Sequence, residues 1–359
     1  MRCTASWHSS LNDYITALAW SSRGDWLAVV SAAGEVRLYH RSQSWVELQG
    51  ATGQSMDALA FSGDGQFLAA SGQAGQVMVW SLRSLPTASS TPSPLAAAFT
   101  RSHPGVWIDR LAWQPQEHLL AYGVGTQVQI WDVTGHLQWA QLDVQTSSVL
   151  HLAWQPQGKL LAVSGHGGIR VWNREDWTAE PKLIAVPGAS LYGAWSADGR
   201  YLGSGNLDRT LTVAEWNCPP PWLMQGFPGK VRQLAWSEPT LSSDSPLLAA
   251  ACVDGITVWR RGKSQRADWR STVLQGHRDR VNAIAFQPGS QLLASVGQDG
   301  QLCLWQGGKR LIQAITLDSE GVSAVVWHPG GDYLASGTAS GKLTVWQVSM
   351  QRKGFGYAP

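Results

Sequence analysis

The chain has 359 residues, of which 44% are hydrophobic and only 14% charged, with 38 Gly, 21 Trp and a formal net charge of +2. This composition excludes collagen, a coiled coil and a mainly disordered chain. So small a net charge excludes a surface-wide field for nucleic acid or an anionic membrane.

The first strand-like stretch is Thr4-Ala5-Ser6-Trp7-His8. After it, one phrase recurs eight times, an apolar strand ending in an aromatic: Trp20, Phe61, Trp113, Trp154, Trp195, Trp236, Phe286 and Trp327. Successive separations are 41, 52, 41, 41, 41, 50 and 41 residues, which marks an internal repeat. Each phrase leads through a turn such as Gln155-Pro156-Gln157-Gly158 into a run of small apolar residues such as Leu160-Leu161-Ala162-Val163. A Gly-containing turn and an alternating strand follow, as in Val77-Met78-Val79-Trp80. A fourth strand-like stretch precedes the next phrase: Trp45 to Gln49, Leu137 to Leu142, Lys182 to Val186, Thr272 to Gln275 and Leu311 to Leu317. No helical period appears. Repeat cores fall at about 15–40, 56–81, 108–133, 149–173, 190–216, 231–260, 281–306 and 322–348. They form a single domain over 1–348, with 349–359 a flexible tail.

A four-stranded sheet of this size has two apolar faces and cannot bury them alone. Radial stacking buries both and shields the edges. The sequence therefore predicts an all-β closed ring, with eight four-stranded blades as the expected count and seven as the alternative. The N-terminal stretch supplies the outer strand that closes the last blade.

Repeat seven is the most complete. It reads Gly276-His277, Val281 to Phe286, Leu293-Ala294-Ser295, Asp299-Gly300, then Leu302-Cys303-Leu304-Trp305. Here the chain resembles the WD40-repeat β-propeller family. The resemblance implies a structural tetrad of His277, Ser295, Asp299 and Trp305. It also implies a protein-binding platform. Other repeats depart from the pattern. Tyr39 and Ala214 stand where repeats one and five would have Trp, and Ser340 stands where repeat eight would have Asp.

Three departures point to candidate sites. First, the position three residues before the strand-ending aromatic holds Ala17, Ala58, Ala283 and Ala324 in four repeats, but Arg110, His151, Tyr192 and Gln233 in the other four. These four form a candidate polar arc beside the central channel. Second, insertions at 82–95, at Glu238 to Pro246 and after Trp259 fall on the face opposite His277. The last of them carries the basic residues Arg260, Arg261 and Lys263. Third, the His277 face offers Arg278, Asp279, Arg280, Gln298 and Arg209 as candidate protein contacts.

No catalytic motif is visible. The nine His show no metal-ligand spacing, and there is no G-x-S-x-G or phosphate-binding loop. Gly165-His166-Gly167-Gly168 is read as a tight turn. The expected role is a non-catalytic interaction scaffold or assembly factor without cofactor or metal, with protein rather than nucleic-acid partners. The alternatives are a ligand-binding or enzymatic site in the channel and an RNA-associated propeller. Cys3, Cys218, Cys252 and Cys303 are scattered, and Met1 to Asn12 lack an apolar leader. No apolar run reaches the ~18 residues a membrane-spanning helix needs. Reduced thiols and a cytoplasmic location are expected.

Overall fold

A computed structural model describes residues 2–41, 44–84, 95–144, 148–239, 245–253, 255–262 and 268–349. Apart from one short 3-10 turn, Leu82–Ser84, its regular elements are all strands. Repeat seven shows the plan. Val281–Phe286, Leu293–Gly297, Gln301–Gln306 and Arg310–Thr316 pair antiparallel in chain order, from the channel outward. Leu293–Gly297 is buried along its whole length, which explains a continuous run of small and apolar residues instead of alternation. The outer strand, Arg310–Thr316, is half-buried or exposed throughout and carries polar residues. Gly300 sits at φ +74° in the tight turn, where an added Cβ would lie 1.8 Å from the Asp318 carbonyl oxygen. Only glycine satisfies both conditions.

Strand pairing gives seven sheets, six of four strands and one of six. This corrects the expectation of eight separate four-stranded blades. The reason is local to repeats four and five, which share the six-stranded sheet. Leu160–Asn173 and Lys182–Trp195 each run 14 residues without a break in the ladder. The first doubles back at Gly167 and Gly168, with φ of 77° and 137°, and the Arg174 amide donates to the Lys159 carbonyl at 3.0 Å. The second pairs with Leu160–Asn173 through its first half and with Tyr201–Asn206 through its second. Elsewhere a loop separates these strands. Here glycine corners let pairing continue.

Apolar clusters fill the junctions between neighbouring repeats. Val30, Leu38, Leu68 and Trp80 join repeats one and two, and Ile169, Val171, Trp195 and Leu202 join four and five. Ring closure uses both ends of the described chain. Arg2–Ser10 pairs antiparallel with Lys342–Ser349, Cys3 opposite Val348 and His8 opposite Thr344. Ile15, Val29, Ala335 and Val345 seal the seam.

Two sets of side-chain bonds tie the inner strands together. At the end of five inner strands the indole N–H reaches back to the preceding repeat. Trp113, Trp154, Trp195, Trp236 and Trp327 donate to the carbonyls of Ala60, Ala112, Ala153, Ala194 and Ala285, at 2.9–3.2 Å. Near the start of the strand the ties run forward. A register shift there lets one residue bulge in five repeats. A bulge re-aims its side chain. Thr16 donates to the Met56 carbonyl, Asn282 to Val322 at 2.9 Å, and Ser323 to Ile15 at 2.6 Å. The last of these bonds crosses the ring seam.

Candidate functional site

The tetrad lies at one face of repeat seven. His277 Nδ1 is 3.0 Å from Asp299 Oδ1, and its Nε2 is 2.8 Å from Ser295 Oγ, which also accepts the Trp305 indole N–H at 2.8 Å. An ionised carboxylate only accepts, so Nδ1 carries the donated proton and Nε2 accepts from Ser295. Burial acts to raise the Asp299 carboxyl. The Arg278 amide, the His277 side chain and the Gln301 amide outweigh it and hold the group below its ordinary value. The arrangement is a turn clamp with every polar atom of the clamp satisfied.

Repeat five closes the equivalent turn without His or Trp. Ser204 bonds Ser190 and Asn206 at 2.7 Å, and the Asn206 amide donates to Thr210 and Thr212 at 2.9 and 3.1 Å. Repeat one uses a buried Glu35, which accepts from Ser31, the Asn12 amide and Arg37 at 2.7–3.0 Å. These substitutes were not read from the sequence, because their only signal is a polar residue near a glycine turn.

On the His277 face, Arg278, Asp279, Arg280 and Arg209 are exposed. Gln298 is tied down, its amide donating to the Glu320 carbonyl at 2.8 Å. Arg280 donates to Asn282 at 3.0 Å. Arg209 has a positive φ of 65°.

The channel is a cavity of about 560 Å³ lined by the inner strands of all eight repeats. Arg110, His151, Tyr192 and Gln233 all line it and form a chain along one side. Arg110 Nε donates to the Leu150 carbonyl at 2.6 Å and pairs with Asp109 at 3.1 Å. The His151 and Tyr192 rings lie 3.8 Å apart, Tyr192 bonds Gln233, and Gln233 accepts the Ile284 amide at 2.9 Å. Burial and the Arg110 cation push His151 down to about 3 against a bond to the Gly193 backbone. It is therefore neutral at neutral pH. Burial also pushes the Tyr192 hydroxyl up.

On the opposite face, the Arg260 guanidinium reaches Gln291 at 3.5 Å. The inclusion of Arg261 among the surface contacts is corrected. Its side chain is 8% exposed, ion-paired with Glu215 at 3.0 Å, bonded to the Tyr201 hydroxyl and packed over Trp222. It pins repeat six to repeat five. Lys263, most of the 82–95 insertion and all of the tail beyond 349 lie outside the described residues. Cys3, Cys252 and Cys303 are buried cysteines and Cys218 is an exposed one. Burial pushes Cys3 and Cys303 up to about 12. Among the described residues no helix is long and apolar enough to cross a membrane, and no three His, Cys, Asp or Glu side chains are grouped to hold a metal.

The family described as "WD domain, G-beta repeat" matches residues 1–40, 44–81, 137–173, 269–306 and 310–347, more than half of the chain. The chain belongs to the WD40-repeat family. Its repeats three, five and six fall mostly outside those segments, where the tetrad is also missing. Among solved structures it is similar to the computationally designed protein Ika8. The TM-score is 0.75 at 19% identity, over 96% of this chain and 98% of that one, a likeness of fold. No curated protein matches the chain.

Proposed function

We propose that this WD40 ring is a non-catalytic scaffold or assembly factor of the cytoplasm, a stiff platform for one or more protein partners. The supporting observation is the division of labour between frame and loops. The inner strands are tied to one another by indole-to-carbonyl and bulge-to-carbonyl bonds, so the ring holds its shape without the loops. The loops of the His277 face then carry exposed groups the frame does not use, among them Arg209 and Arg278. A rigid ring with such loops suits protein recognition, because few groups must be ordered on binding.

Crosslinked affinity capture tests this, comparing the intact chain, an Arg278→Ser/Arg280→Ser variant and a variant lacking residues 85–94. A stoichiometric protein partner lost in one variant supports the scaffold and locates the contact. Absence of any protein partner counts against it. A second reading, a small-molecule site in the channel, is favoured by one observation: His151 Nδ1 is buried without a partner among the described residues, beside Arg110 and Tyr192. A small molecule retained in native mass spectra and lost in His151→Phe would support that reading instead.

A further inference from the structure

We propose that the sector of the His277 face over repeats five to seven is a docking surface for an acidic peptide segment that also carries an apolar side chain. The inference rests on the scaffold reading and names the kind of partner it takes.

Four segments adjoin there. The turn at 206–210 meets the loop at 225–232, where the Val231 amide donates to the Asn206 carbonyl at 3.2 Å. That loop meets the next turn, with the Arg232 amide donating to Ala251 at 3.1 Å and Gly229 packed on Val253. Arg232 and Arg280 share the channel mouth. These segments present Arg209, Lys230, Arg232, Arg278 and Arg280, all exposed. Among the described residues no carboxylate pairs with any of the five. Among the described residues of the sector Asp208 and Asp279 are exposed and Asp299 is engaged by His277, so the exposed carboxylates offset the five cations only in part. Elsewhere on this face Asp109 is paired with Arg110 at 3.1 Å, Asp57 accepts the Trp107 indole N–H at 2.7 Å and Asp13 accepts the Tyr14 amide at 2.7 Å. The sector therefore holds a local excess of exposed cations, although the whole chain is nearly neutral.

Arg209 supplies an independent observation. It occupies the turn position that Gly34, Gly75, Gly300 and Gly341 hold in other repeats, all at positive φ. A side chain in that conformation is unfavourable. A strained residue kept on an exposed turn points to use of its side chain.

Leu207 and Val253, 40% and 49% exposed, lie among these cations and give an apolar seat. Tyr14 and Trp107, exposed aromatics of this face, lie outside the sector. Among the described residues no exposed aromatic lies among the cations to stack a base, so a peptide fits better than single-stranded RNA.

The test is an array of 12-residue peptides of Glu and Asp with one Leu, Ile, Val, Met or Phe at each position, beside Lys-for-acid counterparts and an oligouridine probe. Some acidic members should bind the full chain, and weaken steeply with salt. Arg209→Gly should weaken them at least about fivefold while Tm holds or rises by up to about 2 °C. Leu207→Ser should weaken members that carry the apolar residue and leave all-acidic ones unchanged. Acidic members binding no better than their Lys counterparts overturns the proposal. So does affinity unmoved by Arg209→Gly, or oligouridine binding where the peptides do not. If the array fails but captured partners persist with Arg209→Gly, the scaffold reading stands and only this surface is lost.

Discussion

Repeats seven and five share a strand order, yet their second turns are closed by different groups. In repeat seven the clamp comes partly from outside the turn. His277 reaches in from the preceding loop to Asp299 and Ser295, and Trp305 fills the space behind them. In repeat five the bonds stay within the repeat, from Asn206 to Thr210 and Thr212 and from Ser204 to Ser190, and Ala214 replaces the indole. The turn needs its buried polar atoms satisfied, and the tetrad is one way of doing so. The difference has a spatial consequence. No His reaches the repeat-five turn from the preceding segment at 186–190, and that turn accommodates Arg209 where repeat seven requires Gly300.

The sharpest way to break the comparison is to remove the indole that repeat five does without. Trp305 is buried at 2% exposure and carries one side of the junction with repeat six. Trp305→Ala should cost about 3–5 kcal/mol, read as a lower midpoint in urea unfolding. A loss under about 1 kcal/mol would mean that the tetrad repeat is no more dependent on its clamp than repeat five. Asn206→Ala should cost about 1–3 kcal/mol, because it strands buried hydroxyls of Ser204, Thr210 and Thr212. A null effect would show that packing alone closes the repeat-five turn.

Acid should separate the two turns as well. The Asp299 carboxyl is held below its ordinary value in the fold, so its contribution is fully present above the unfolded value of about 3.9 and is lost as pH falls through the folded value. Asp299→Asn should lower stability at neutral pH and flatten the acid limb of stability against pH, by up to about one proton in linkage. Asn206→Ala should leave the steepness of that limb unchanged. Urea midpoints from pH 7 down to pH 3 check both. An unchanged acid limb in Asp299→Asn would remove the carboxylate from the account of repeat seven.

Much of this architecture was legible in one sequence because the repeat is read by spacing. The recurring aromatic at 41-residue intervals marks the inner strands, and Ser295 with Trp305 marks the tetrad. The sheet count was not legible. It turns on whether the ladder pauses at Gly165-His166-Gly167-Gly168 and Pro187-Gly188, which composition does not reveal. Arg261 was misplaced for a related reason. An arginine in a basic run reads as surface, and only the fold brings Glu215, Tyr201 and Trp222 around it. The unpaired cations of the His277 face come from separate loops, so no local motif announces them.

The smallest predicted effects lie in the inner ring, where the same residue type is bonded in five repeats and unbonded in one. The indoles of Trp113, Trp154, Trp195, Trp236 and Trp327 each donate to the preceding repeat, whereas Trp20 Nε1 is buried with no partner among the described residues and packs edge-on against His328 at 5.1 Å. Replacing Trp154 by Phe keeps most of the ring and deletes the bond to Ala112, leaving that carbonyl without its donor. The expected cost is about 1–2 kcal/mol. Replacing Trp20 by Phe deletes no bond and removes an unsatisfied N–H, so stability should change by less than about 0.5 kcal/mol or rise slightly. Paired urea titrations of the two variants decide the matter. If both lose the same amount, the indole serves these junctions by its volume alone, and the hydrogen-bonded ring is not what stiffens the frame.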